Sequence, residues 1–132
     1  MEKQIVVSSK IENLRKVEKF VDEISAACKL NSELYGNILI ATLEAANNAI
    51  VHGNKLTETL DVKLNATFKD NVLSIVVEDK GPGFDYKNIP DPTSPENIEN
   101  VSGRGVFLME KLSDKIDFKK NGSIVELYFN IK

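Results

Sequence analysis

EAANNAIVHG, running from Glu44 to Gly53, is the stretch whose reading decides the fold. Between Leu34 and Val51 the apolar residues recur at helical spacing, which puts Glu44 and Asn48 one turn apart on the same side, with His52 a further turn along. An acid, an amide and an imidazole therefore share one side of a mostly apolar helix. Burying such groups costs free energy unless each has a partner or a ligand. An asparagine amide oxygen can ligate Mg²⁺, and a glutamate one turn away can orient or deprotonate an attacking hydroxyl. The competing reading is a polar cluster at a helix end, with Asn47 and Asn48 in solvent, and the stretch alone leaves both open. His52 reads as a capping or positioning partner of the last carbonyls, and Gly53 as a left-handed C-cap.

Working outward, the spacing predicts that this helix starts near Ser32, capped by Asn31 or Ser32, with Glu33 placing negative charge in the first turn. Before it, Ile5 and Val7 alternate with polar neighbours as in a short edge strand. Ile11, Leu14, Val17, Val21 and Ile24, with Phe20 beside them, form the stripe of a first helix from about Ile11 to Cys28. After it, Leu60, Val62, Leu64, Ala66 and Phe68 alternate with polar residues, Lys69 to Asn71 turn the chain, and Leu73, Ile75 and Val77 continue as a more central strand ending at Glu78 and Asp79. No periodicity survives from Lys80 to Ser102, where Pro90, Pro92 and Pro95 break the chain into turns. A connection of that length is either a lid or recognition loop, at about residues 84–102, or a plain solvent loop. A third helix is expected from about Gly105 to Leu112, with Met109 as core filler. Ile116 and Phe118 open a strand, Asn121-Gly122 marks a hairpin turn, and Val125 to Ile131 form the closing strand. The sum is an α+β protein: a two-layer α/β sandwich with two or three helices on one face of a mostly antiparallel sheet of four or five strands.

The composition suits this plan. With 132 residues, 42% hydrophobic and 28% charged, the chain can bury a sizeable core as a single domain over 1–132, and no repeat or linker divides it. A net charge of -3 offers no field for a nucleic-acid backbone or an anionic bilayer. Apolar runs fall short of the roughly 18 residues of a membrane span, and no signal segment opens the chain, so a cytoplasmic address is the expectation. The single cysteine, Cys28, excludes an internal disulfide or a cysteine metal cluster and reads as packing.

Two further pieces can carry chemistry. In Asp79-Lys80-Gly81-Pro82-Gly83-Phe84 a carboxylate at a strand end can accept a hydrogen bond from an exocyclic amine, while Gly81 and Gly83 let backbone approach a flat base; an ordinary turn would look the same. The string is neither a dinucleotide-binding fingerprint nor a Walker A loop. In Ser102-Gly103-Arg104-Gly105 the glycines leave room for phosphate beside the amides of a helix N-terminus, with Arg104 adding charge; a hinge at the foot of a lid is compatible with that.

Taken together, these pieces resemble a known family. ExxxN at Glu44 to Asn48, followed by AxxHG at Ala49 to Gly53, looks like the N box of the GHKL (histidine-kinase-like) ATPase superfamily, or Bergerat fold. Asp79-x-Gly81-x-Gly83 and Gly103-x-Gly105 look like its two glycine boxes. The HG ending and the GRGxxLM string are most similar to bacterial anti-sigma-factor serine/threonine kinases. The resemblance implies ATP and Mg²⁺ as cofactors, Asn48 as the metal contact and Glu44 as the catalytic base. It implies that Asp79 recognises the adenine amine, that Gly81 and Gly83 line the base pocket, that Gly103, Arg104 and Gly105 wrap the triphosphate, and that Ser123 supports Asp79 through water. It further implies transfer of the γ-phosphate to a small anti-sigma antagonist (STAS-like) protein, partner switching with a sigma factor or other regulator, and a homodimer through the sheet side. A non-catalytic, ATP-dependent regulatory binding module is the alternative. A complete sensor histidine kinase or a gyrase-like machine is not expected, since 132 residues leave no space for a phosphoacceptor or transducer domain.

Overall fold

Strict alternation of apolar and polar residues builds the centre of the molecule. In the computed structural model, which describes residues 1–81 and 101–131, β2 (Asp61–Lys69) buries Val62, Leu64 and Ala66 while Asp61 and Lys63 face water. β3 (Val72–Glu78) buries Leu73, Ile75 and Val77, and β5 (Ile124–Asn130) buries Val125, Leu127 and Phe129. With β1 (Glu2–Ser8) and β4 (Lys115–Lys119) at the edges, the five strands form an antiparallel sheet in the order β1-β2-β3-β5-β4. The register lines up Ile5, Leu64, Val77, Val125 and Phe118 as one apolar row across all five strands.

The helices cover that apolar face. α1 (Leu14–Cys28) buries Val17, Phe20, Val21 and Ile24, and it packs on α2 (Ser32–Asn47), which in turn carries α3 (Val101–Leu112). Asn31 caps α2 by accepting from the Leu34 amide at 2.9 Å, and Glu33 lies in its first turn as expected. Cys28 packs at the border of the core, and burial pushes its thiol upward, away from the reactive thiolate.

Four expectations need correction. Ile11 stands outside the stripe: it lies in a separate 3₁₀ turn, Ile11–Asn13, and is 54% exposed, so the helix proper starts at Leu14. The second helix does not continue regularly to Val51 but loosens at Asn48–Gly53 into a π-helical turn. Gly53 does not end that helix in the left-handed region; the ending residue is Asn54, right-handed at φ -86. The third helix begins at Val101 rather than Gly105, which places both Gly103 and Gly105 inside it. Gly83 and nearly all of the lid expected at 84–102 lie outside the described residues.

The two hairpins turn through left-handed residues. Asp70 and Asn71 have φ of 54 and 63, a two-residue turn whose twist matches the paired strands. Lys120 to Gly122 are also left-handed, and the loop takes four residues, 120–123, between the paired Lys119 and Ile124.

On the face away from the helices, Ser74 donates to Glu126 at 2.5 Å and Lys119 approaches the same carboxylate at 3.1 Å. Burial pushes the Glu126 carboxyl upward, but the donations from Ser74 and Tyr128 and the Lys119 charge outweigh it and leave it below the ordinary range. Beside it, burial and then Glu126 push the Tyr128 hydroxyl up to about 12.

Two outcomes follow in chemical denaturation. Leu64→Ala, in the central apolar row, is expected to cost about 2–5 kcal/mol, whereas Lys63→Ala on the open face stays within about 0.5 kcal/mol. Because the Glu126 carboxyl is depressed in the folded state, its contribution is full above the ordinary carboxylate range and is lost as pH falls through its folded value. Glu126→Gln should therefore flatten the acid limb of the stability profile.

Candidate functional site

The site forms where the sheet's apolar row meets the end of α2. Continuing the period-2 run of Leu73, Ile75 and Val77 beyond the end of β3 points Asp79 to the helix side of the sheet. There it is 8% exposed, at the edge of a crevice of about 310 Å³ of empty space, part of it open to solvent. Val77, Val125 and Phe118 supply the apolar floor, Ala45 on α2 and Ala49 in the π-helical turn after it a small-residue wall, and Met109 part of the opposite wall. Asn48, Asp79 and Ser123 bring the polar atoms. Met109, expected as core filler, is 1% exposed and also lines this crevice. Such a combination of apolar walls and a few convergent polar groups suits a flat heterocycle with an exocyclic donor.

Three successive amides fix the Asp79 loop. The Asp79 N–H donates to the Ser123 carbonyl at 2.9 Å, the Lys80 N–H to the Asn54 side-chain oxygen at 2.7 Å, and the Gly81 N–H to Asp79 Oδ1 at 2.8 Å. Ser123 thus supports Asp79 directly through its backbone, while its hydroxyl donates to the Lys120 carbonyl at 3.0 Å. Burial is the main influence on the Asp79 carboxyl and pushes it above the ordinary range; the Gly81 amide opposes this, and neighbouring Glu78 adds to the rise.

Two glycines are dictated by crowding. A Cβ on Gly53 would run into the Asp79 carboxylate, and one on Gly81 would run into the Gly53 carbonyl. Gly53 is therefore glycine for close approach rather than for a left-handed cap. At the other end of the crevice, a Cβ on Gly105 would lie 3.1 Å from Glu44 Oε2 and 3.2 Å from both terminal atoms of Asn48. The first turns of α3 thus abut Glu44 and Asn48, joining two of the three pieces separated in sequence. Gly103 shares that helix, while the Arg104 side chain lies outside the described residues.

Among the described residues, two buried side-chain polar atoms lack a hydrogen-bond partner: Thr42 Oγ1 and Asn48 Oδ1. Nothing in the structure explains the first. The second is an amide oxygen on the lining of the crevice, near the Glu44 carboxylate, and leaving such an acceptor unpaired costs roughly 1–3 kcal/mol. A hard cation takes oxygen ligands of this kind, so Asn48 fits Mg²⁺; a protein-only cage is absent, since no group of three or more His, Cys, Asp or Glu converges among the described residues.

Sequence reasoning missed several members of the site. His52, expected to position the helix end, is exposed in the last turn of the π segment. The buried polar residue there is its near neighbour Asn54, 1% exposed. Ala45 and Ala49 could have been found from their spacing, since they flank Glu44 and Asn48 and recur at i, i+4.

Comparisons with known proteins identify the family. A sequence model of the histidine kinase-like ATPase domain matches residues 7–129. Serine-protein kinase RsbW of Staphylococcus aureus, in strains JH9 and Newman, is 32% identical over 101 residues, 70% of this chain and 64% of the relative. The chain thus spans just under two thirds of the length of these curated relatives. A crystal structure of the RsbU and RsbW domains of Rv1364c from Mycobacterium tuberculosis superposes with a TM-score of 0.69 at 18% identity, covering 98% of this chain and 32% of that one, which shows the shared fold. With the family's sequence model matching residues 7–129, nearly the whole chain, the chain belongs to the histidine kinase-like ATPase domain family.

Proposed function

We propose that this protein is an ATP-dependent serine/threonine protein kinase of the anti-sigma-factor type, acting on a small antagonist (STAS-like) protein and regulating a sigma factor or another partner by exchange of complexes. The observation that carries the reading is the buried, unpartnered Asn48 Oδ1 beside Glu44 and Gly105, across the crevice from Asp79. In this reading Asp79 accepts from the adenine amine, with its carboxylate plane held by the Gly81 amide, and Gly81 with Gly83 admits the base. Gly103, Arg104 and Gly105 receive the triphosphate in the first turns of α3, where the glycines leave room for phosphate and Arg104 adds charge. Asn48 Oδ1 is the protein ligand for Mg²⁺, which when bound neutralises phosphate charge. Glu44 orients the acceptor hydroxyl and takes its proton as the hydroxyl oxygen bonds to the γ-phosphorus and the bond to the ADP oxygen breaks.

The similarity to serine-protein kinase RsbW supports the choice of a protein hydroxyl as acceptor. We place the protein in the cytoplasm, as one ATPase domain with a lid at about 84–102, paired as a homodimer through the open face of the sheet. That face presents Val6, 52% exposed, in register with Lys63, Glu78 and Ile124. No helix among the described residues is long and apolar enough to cross a membrane.

Incubation of the purified protein with labelled Mg-ATP and candidate antagonist proteins should label one of them on serine or threonine. Glu44→Gln is expected to lower that labelling by roughly 10²–10⁴-fold while retaining nucleotide binding. Unchanged labelling by the variant would remove Glu44 from its role, and ATP-dependent capture of a partner without label would favour a binding module. Asp79→Asn should weaken ATP binding by calorimetry yet melt at a higher temperature near neutral pH. The sign follows from the raised carboxyl: burial disfavours its charged form, so the folded state loses stability as pH rises past the ordinary carboxylate value, and an uncharged amide avoids that loss.

A further inference from the structure

We propose that Asn54 is the positioning residue of this site, setting the Asp79 carboxylate through the Lys80 amide and tying the base end of the crevice to its Asn48 end; this rests on the ATP reading above. Asn54 is 1% exposed, and its amide is used in three directions. Its Oδ1 accepts from the Lys80 N–H at 2.7 Å, and its Nδ2 donates to Ser9 Oγ at 2.9 Å and to the Asp61 carbonyl at 3.1 Å. Ser9, also 1% exposed, passes its own hydroxyl to the Leu60 carbonyl at 2.6 Å. One side chain thereby joins the segment after β1, the start of β2 and the loop after β3.

Its backbone does a second job. The Asn54 N–H donates to the Ala49 carbonyl at 2.8 Å, five residues back, and so closes the π-helical turn that begins at Asn48. The same residue therefore fixes the turn adjoining the orphaned Asn48 oxygen and the loop carrying Asp79. Lys80 lies between Asp79 and Gly81, whose amide holds the Asp79 carboxylate. Release of the Lys80 N–H frees the one link between those two anchored neighbours, and the carboxylate loses its fixed direction towards an exocyclic amine. Geometry held to a fraction of an ångström by supporting hydrogen bonds is what recognition of a single donor requires.

The test compares affinities for ATP and for inosine triphosphate, which lacks the exocyclic amine, by calorimetry with Mg²⁺. Wild-type protein is expected to prefer ATP, and in Asn54→Ala that preference should fall by roughly tenfold, the effect of losing one well-placed bond to a charged group. Ser9→Ala and Asn54→Asp, which cut the far side of the network but keep an acceptor for Lys80 N–H, should melt earlier and keep the wild-type preference. If Asn54→Ala retains the full preference, or Ser9→Ala loses it equally, the proposal is overturned, because the network then acts only on stability. Where Asn54→Ala does not fold, Asn54→Ser, whose shorter side chain cannot reach the Lys80 N–H, decides: a reduced preference supports the assignment and a full one overturns it. A wild-type protein that binds both nucleotides equally overturns the Asp79 reading itself, and the role of Asn54 with it.

Discussion

The structure depends on one crowded point, where Gly53, Asp79 and Gly81 meet with no volume for a side chain on either glycine. Bringing a strand end and a helix end this close lets a carboxylate sit on the helix side of the sheet, largely out of water. Burial then disfavours its charge, and only the Gly81 amide among the described residues offsets that cost. The helix end is shaped to match: it unwinds into a π turn, so the chain reaches Gly53 and Asn54 along a wider path than a regular helix would take. A buried acid without a cationic partner among the described residues and a helix that gives up its regular bonding are both unfavourable by themselves. They make sense together as two walls of a site whose occupant supplies the missing donor.

The Asn48 end of the crevice repeats the logic with the same polarity. Among the described residues Asn48 offers an acceptor with nothing to accept from, close to Gly105 and Glu44. In the proposed reading, the unpaired acceptor and the desolvated acid suit one extended ligand with a donor at its base and a cation at its phosphates. Between them the apolar floor belongs to the same Leu64, Val77 and Val125 row that holds the sheet together. Core and site are continuous, and the small residues Ala45, at the end of α2, and Ala49, in the π turn, line both.

Much of this was legible from spacing. Period 2 through Val62, Leu64 and Ala66 gave β2 its inward face, and period 3.6 through α2 put Glu44 and Asn48 together, because both patterns are local consequences of backbone geometry. What escaped was non-local or confined to one turn. A π turn of six residues shifts the angular phase too little to be read against a 3.6 period. The reason for Gly53 lies in Asp79, 26 positions away, and a left-handed cap explains a glycine after a helix equally well from sequence. Ile11 belonged to the stripe by spacing but sits in a 3₁₀ turn that rotates it into solvent. Asn54 carried no periodic signal; it followed HG as an ordinary turn residue, and only tertiary structure encloses its amide. For Ser123, support of Asp79 through water was the expectation; the structure adds a backbone bond, from the Asp79 N–H to the Ser123 carbonyl, that spacing could not show.

The central claim is that the crevice between Asn48 and Asp79 exists for a magnesium-bound adenine nucleotide. Titration calorimetry of the wild-type protein with ATP and GTP, each in Mg²⁺ and in chelator, tests it most directly. The account predicts binding of ATP over GTP that tightens with Mg²⁺. Absence of binding to either nucleotide, or affinity indifferent to both base and metal, would contradict it.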